Sequence, residues 1–79
     1  MEVQAYVLIQ TEVGKAATAL QSIRAISGVV VAEGVTGPYD IIVTAQARTL
    51  DELGQAVVSK ITSVCGITRT LTCPVVNLG

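Results

Sequence analysis

The chain of 79 residues is 51% hydrophobic and 14% charged, against roughly 25% charged in an ordinary domain, so it makes one domain with more apolar surface than a core of that size can hide. Its net charge is −1 and its five bases, Lys15, Arg24, Arg48, Lys60 and Arg69, are scattered, which leaves no basic stripe for phosphates and argues against direct nucleic-acid binding. No His is present to build a zinc or copper site, so no metal or other cofactor is expected, and no apolar run approaches the about 18 residues of a membrane span.

The start, Met1-Glu2-Val3-Gln4, is acidic and polar where a signal peptide would be basic, which predicts a cytoplasmic protein. Residues 5–11, AYVLIQT, form a β-rich run. Gly14 opens a helical pattern in which Ala16, Ala19, Leu20, Ile23 and Ile26 recur at spacings of three and four, and Gly28 stops it. VVVAEGV (29–35) is a second strand, TGP (36–38) a turn, and Asp40 to Arg48 a third strand. Thr49 is a good N-cap, with Asp51 and Glu52 in the first turn and Leu50, Leu53, Val57, Ile61 and Val64 at helical spacing behind it. Gly66 stops that helix, and ITRTLTCPVV (67–76) is the last strand, where Pro74 argues for an edge position or a break. Cys65 and Cys73 lie on either side of a run that, extended, holds them roughly 25 Å apart, beyond disulfide reach, and they read as packing residues.

Strand-helix-strand occurs twice, and Ile23-x-x-Ile26-Ser27-Gly28-Val29 echoes Ile61-x-x-Val64-Cys65-Gly66-Ile67. The order predicts an α+β, ferredoxin-like βαββαβ sandwich: an antiparallel four-stranded sheet with two helices on one face. Val3, Ala5, Val7 and Ile9 then point to one side of the first strand, and Tyr6 and Leu8 to the other. In the third, Ile41, Val43, Ala45 and Ala47 oppose Ile42 and Thr44. Helices cover one face, so the other calls for a partner, most simply a second copy packed sheet to sheet. A homodimer is expected.

Asp40, between a Gly-Pro turn and an apolar strand, is the unusual residue, because strand interiors normally exclude a carboxylate. Alone it reads as a turn acid taking N–H groups of the 36–39 loop. Gly34 and Gly37 alone read as turn residues, Thr68, Thr70 and Thr72 as β-branched filler on one face, and Tyr39 as a half-buried ring. Together, a carboxylate, a Gly loop and a row of hydroxyls could hold a zwitterion, with the acid on the ammonium. None of these groups is a convincing nucleophile or base, and neither GxxxxGK nor GxGxxG occurs, so the expected activity is binding and not catalysis.

At these residues the chain resembles the effector-binding half of the leucine- and asparagine-responsive regulators, the Lrp/AsnC family, often called the RAM domain. Val35-Thr36-Gly37-Pro38-Tyr39-Asp40 is similar to the family's V-x-G-x-Y-D turn into the third strand. Gly66-Ile67-Thr68-Arg69-Thr70-Leu71-Thr72 is similar to its G-V-x-R-T-x-T opening of the fourth, and IRAISGVVVAEGV before the turn extends the likeness over nearly the whole chain. The resemblance implies sensing of an amino acid or similar small effector, in a pocket where dimers meet within a larger ring. It maps Gly37, Tyr39, Asp40, Thr70 and Thr72 to ligand binding, with Thr36 and Gly34 as weaker candidates.

The family's regulators carry an N-terminal helix-turn-helix, whereas this sequence opens on the first strand. The expectation is therefore one ligand-binding domain over residues 1–79, working through oligomerisation or association with full-length Lrp/AsnC regulators. DNA binding is not carried over. Two other readings remain: a small enzyme of the dimeric ferredoxin-like barrel class, whose pockets favour polar aromatic groups such as the His and Trp missing here, or a purely structural assembly unit.

Overall fold

Alternation along the first strand decides the architecture. In a computed structural model, which describes residues 2–76, β1 (Val3–Thr11) buries Ala5, Val7 and Ile9 completely, while Tyr6 between them is 48% exposed. The chain continues as α1 (Ala16–Arg24), β2 (Val29–Gly34) and β3 (Ile41–Ala47). A second helix, α2, runs from Leu50 to Thr62, and β4 (Ile67–Pro74) completes the order. The four strands form one antiparallel sheet ordered β2-β3-β1-β4, the ferredoxin-like arrangement expected from the sequence. Pro74 lies on an edge strand, where its missing N–H breaks no central ladder.

Ile41, Val43 and Ala45 of β3 pair with Ile9, Val7 and Ala5 and share their buried face. Ala19 and Ile23 of α1 and Leu53, Val57 and Ile61 of α2 close over them. Each fully buried Ile, Leu or Val contributes about 1.5–3 kcal/mol from water exclusion, so this single face supplies most of the folding drive.

The repeat inferred from the sequence is structural. Gly28 and Gly66 take φ of 98° and 93°, conformations that favour glycine. Around each, the chain tightens in the same way: Ile26 N–H donates to Ile23 O and Val29 N–H to Ile26 O, as Val64 N–H does to Ile61 O and Ile67 N–H to Val64 O.

Thr49 caps α2 as expected, its Oγ1 accepting from Glu52 N–H at 3.1 Å. The interior of α2 differs from expectation, because Leu53–Val58 winds as a π-helix between short α segments. Strand limits also shift: β1 starts two residues earlier than expected, and β4 ends two residues earlier. Gly34 belongs to β2 and not to the turn. The cysteines correct the packing reading: Cys65 and Cys73 are free and exposed, the first in the turn after α2, the second on β4 opposite exposed Tyr6.

On the helix-free side of the sheet, Leu8 is flanked by Ile42 (36% exposed) and Leu71 (43%), and Tyr6 by Thr44 and Cys73. Val31, 44% exposed, continues the apolar area onto β2. Among the described residues, no helix is long and apolar enough to cross a membrane.

Candidate functional site

The regular pairing of β1 with β3 ends at Ile9 and Ile41, one residue short of Asp40. Asp40 N–H still reaches Ile9 O at 2.8 Å, and its side chain then replaces the next rung of the ladder. Oδ2 accepts from Thr11 N–H at 2.8 Å and from Thr11 Oγ1 at 3.2 Å. The 36–39 loop donates none of these bonds, so the simple turn-acid geometry is replaced by a cross-strand one: Asp40 satisfies an amide that would otherwise be orphaned at the end of β1. The loop itself closes through Val35 N–H to Asp40 O at 2.9 Å and is tied to β1 by Gln10 Nε2, which donates to Pro38 O at 2.8 Å.

Asp40 lines an open cleft with Ala16, Gly34, Val35 and Thr36. Ala16 starts α1, whose first turn has no side-chain cap; Lys15, at the N-cap position, makes no capping bond. The cleft therefore has a carboxylate on one wall and the electropositive first turn of a helix on another.

Of the residues expected at the site, Asp40 lines this cleft, as do the weaker candidates Thr36 and Gly34. Gly37 and Tyr39 sit in the same loop outside its lining; Gly37 has φ of 132°, and Tyr39 is half-buried. Thr70 and Thr72 are not brought to Asp40 within one protomer. They pair with Ile9 and Val7 on β4, and β1 stands between them and β3, a separation of roughly 10 Å at two strand spacings. Thr68 departs from their row. Gln10 pairs with Arg69 and Thr11 with Ile67, so Thr68 is the extra residue of a β-bulge, with its hydroxyl donating to Gln10 O at 3.2 Å. Ala16, Val35 and Thr11 are the members that sequence reasoning missed. Thr11 is one of many strand threonines in the sequence, and nothing local marks its contact 29 residues away.

A second cavity of about 320 Å³ lies at the opposite end of β3, between the Ser27-Gly28 turn, Gln46–Arg48 and α2. Among the described residues, no group of three or more His, Cys, Asp or Glu comes together to hold a metal ion.

Residues 4–77 match the family model described as the Lrp/AsnC ligand binding domain, and the chain belongs to that family. A search of curated protein sequences finds no match. Among solved structures, TTHA0845 from Thermus thermophilus superposes with a TM-score of 0.88 at 27% identity, over 98% of this chain and 96% of that one. AsnC of E. coli gives 0.86 at 25% identity over 95% of this chain, which spans about half, 51%, of AsnC. The transcriptional regulator NMB0573 of Neisseria meningitidis, solved as a complex with L-Met, shares the fold at a TM-score of 0.80 and 19% identity, over 96% of this chain and 51% of that one.

Proposed function

We propose that this Lrp/AsnC-family domain is a sensor that binds a small zwitterion, most simply an amino acid, in the cleft beside Asp40. The observation that carries the reading is the opposition of charge across the cleft: the Asp40 carboxylate suits an ammonium, and the uncapped first turn of α1 at Ala16 suits a carboxylate. Thr36 and the Gly37–Tyr39 loop form its rim. Family membership supports the same class of ligand, and L-Met, seen with the Neisseria regulator, is a natural first probe.

In this reading the protein is a cytoplasmic homodimer. The apolar strip formed by Tyr6, Leu8, Ile42 and Leu71 is covered by a second copy, and dimers assemble further into a ring. Thr70 and Thr72 join the ligand from a neighbouring copy, since β1 separates them from Asp40 inside one protomer. The domain acts without catalysis and without contacting DNA itself, through assembly or association with full-length relatives.

Thermal-shift measurements against L-Met and the other standard amino acids test this. A ligand at 100 times its dissociation constant adds about 2.7 kcal/mol, a shift of about 10–20 °C in a domain this small. A flat response to all twenty would favour the assembly-unit reading.

A further inference from the structure

We infer that Thr11 is a positioning residue for the effector site: it fixes one oxygen of Asp40 so that the other is left for the ligand. This rests on the proposed reading of Asp40 as the group that receives the ammonium. Both donors of Thr11, the backbone N–H and Oγ1, converge on the same atom, Oδ2. Closing the ladder requires only the N–H. The added hydroxyl bond fixes the rotation of the carboxylate about its last torsion, which is otherwise broad. Among the described residues, no donor bonds to Oδ1, so the lone pairs of that oxygen stay open on a residue that lines the cleft.

The bulge between β1 and β4 is a separate observation pointing the same way. It falls at Gln10/Thr11, the point where β1 must serve the site, and Thr68 on the partner strand is the residue left over. Bulges locally raise the twist and re-aim side chains, and they concentrate beside functional sites. Here the irregularity coincides with Thr11 directing both donors to Asp40, while Thr68 Oγ1 secures Gln10 O from the other side. Gln10 in turn holds the loop through Pro38 O. The C-terminal end of β1 is thus a support for the carboxylate, although none of it lines the cleft.

The test compares the wild-type chain with Thr11→Val, Thr11→Ser and Asp40→Asn. Each is titrated calorimetrically with L-Met, or with the strongest binder among the twenty standard amino acids, and with the des-amino analogue of that compound. Thr11→Val keeps the strand shape and the N–H bond but frees the carboxylate to rotate. It should weaken amino-acid binding about three- to tenfold, the worth of one hydrogen bond, and leave the des-amino analogue unaffected. Thr11→Ser should restore binding. Should Thr11→Val fail to fold, Thr11→Ala gives the same comparison.

Unchanged amino-acid affinity in Thr11→Val, with a clear loss in Asp40→Asn, would overturn the positioning role and leave the site reading standing. Equal losses for the amino acid and its des-amino analogue would make Thr11 merely structural, which also overturns it. If Asp40→Asn binds as well as wild type, or no amino acid binds at all, the site reading itself fails and takes the inference with it.

Discussion

A Cβ placed on Gly28 would lie 2.5 Å from Val57 Cγ2 and 3.1 Å from Gln46 O. The turn after α1 is therefore pressed directly against the π-helical stretch of α2 and the end of β3. Gly28→Ala meets two costs at once. The φ of 98° disfavours any side chain by about 1–2 kcal/mol, and crowding against a buried valine adds about 1–3 kcal/mol. The expected loss is about 2–5 kcal/mol, read as a lower denaturation midpoint. A midpoint within error of wild type would mean that the turn yields freely.

Arg24 guards an edge. Its Nε and Nη2 donate to Ala32 O at 3.0 and 2.8 Å. Val35 N–H bonds to Asp40 O, and antiparallel alternation then places the bonded rungs at Glu33 with Ile42 and Val31 with Thr44. Ala32 O accordingly faces away from β3, on the open side of an edge strand. Arg24→Met keeps the aliphatic stem and removes the donors. It should cost about 1 kcal/mol and free the edge for non-native pairing, visible as a lower melting temperature with increased light scattering. A variant as stable and as monodisperse as wild type would remove this role from Arg24.

Element order, sheet face and the paired glycine turns were legible because each rests on local pattern. Period-two alternation put Ala5, Val7 and Ile9 together, and the echoed Ile-x-x-Ile and Ile-x-x-Val segments each ended in a glycine of positive φ. The π-helical stretch was not legible. Leu53, Val57 and Ile61 recur at four, a spacing that keeps one face buried with either winding, so no residue marks the change. The site was half legible. The turn that carries Thr36 and Asp40 is contiguous in sequence, whereas the bond from Thr11 depends on which strand lies beside β3. The same topology keeps Thr70 and Thr72 apart from Asp40 within one protomer, because a hydroxyl row on one strand says nothing about how many strands separate it from a carboxylate. The exposure of Cys73 was not legible for a related reason: apolar character alone does not reveal which face lacks a cover, and Cys65 falls in the turn after α2.

Leu8 tests the proposed dimer. It lies between Ile42 and Leu71 on the face without helices, so Leu8→Glu would place a charge at the centre of the sheet-to-sheet contact. The fold should persist, since the core lies on the other face, while sedimentation at micromolar concentration should show a species near the 8.2 kDa of one chain. Wild type should sediment as a dimer or larger. A wild-type monomer, or an unaffected assembly in Leu8→Glu, would contradict the proposed packing.

Asp40 has two duties that substitution can separate. As the last rung between β3 and β1 it needs only an acceptor for Thr11, which an asparagine oxygen still supplies. As the proposed ammonium partner it needs its charge, and a charge-assisted bond is roughly twice as strong as a neutral one. Asp40→Asn should therefore melt close to wild type and bind the effector about ten- to a hundredfold more weakly, a loss of about 1.5–3 kcal/mol. Asp40→Ala removes the acceptor as well, leaving the part-buried Thr11 N–H without its partner, and should lower stability by about 1–2 kcal/mol in addition to losing affinity. Calorimetric titrations and melting curves on the same samples read both quantities. If both variants destabilise equally and neither changes affinity, the carboxylate is only the end of a ladder, and the ligand must bind elsewhere.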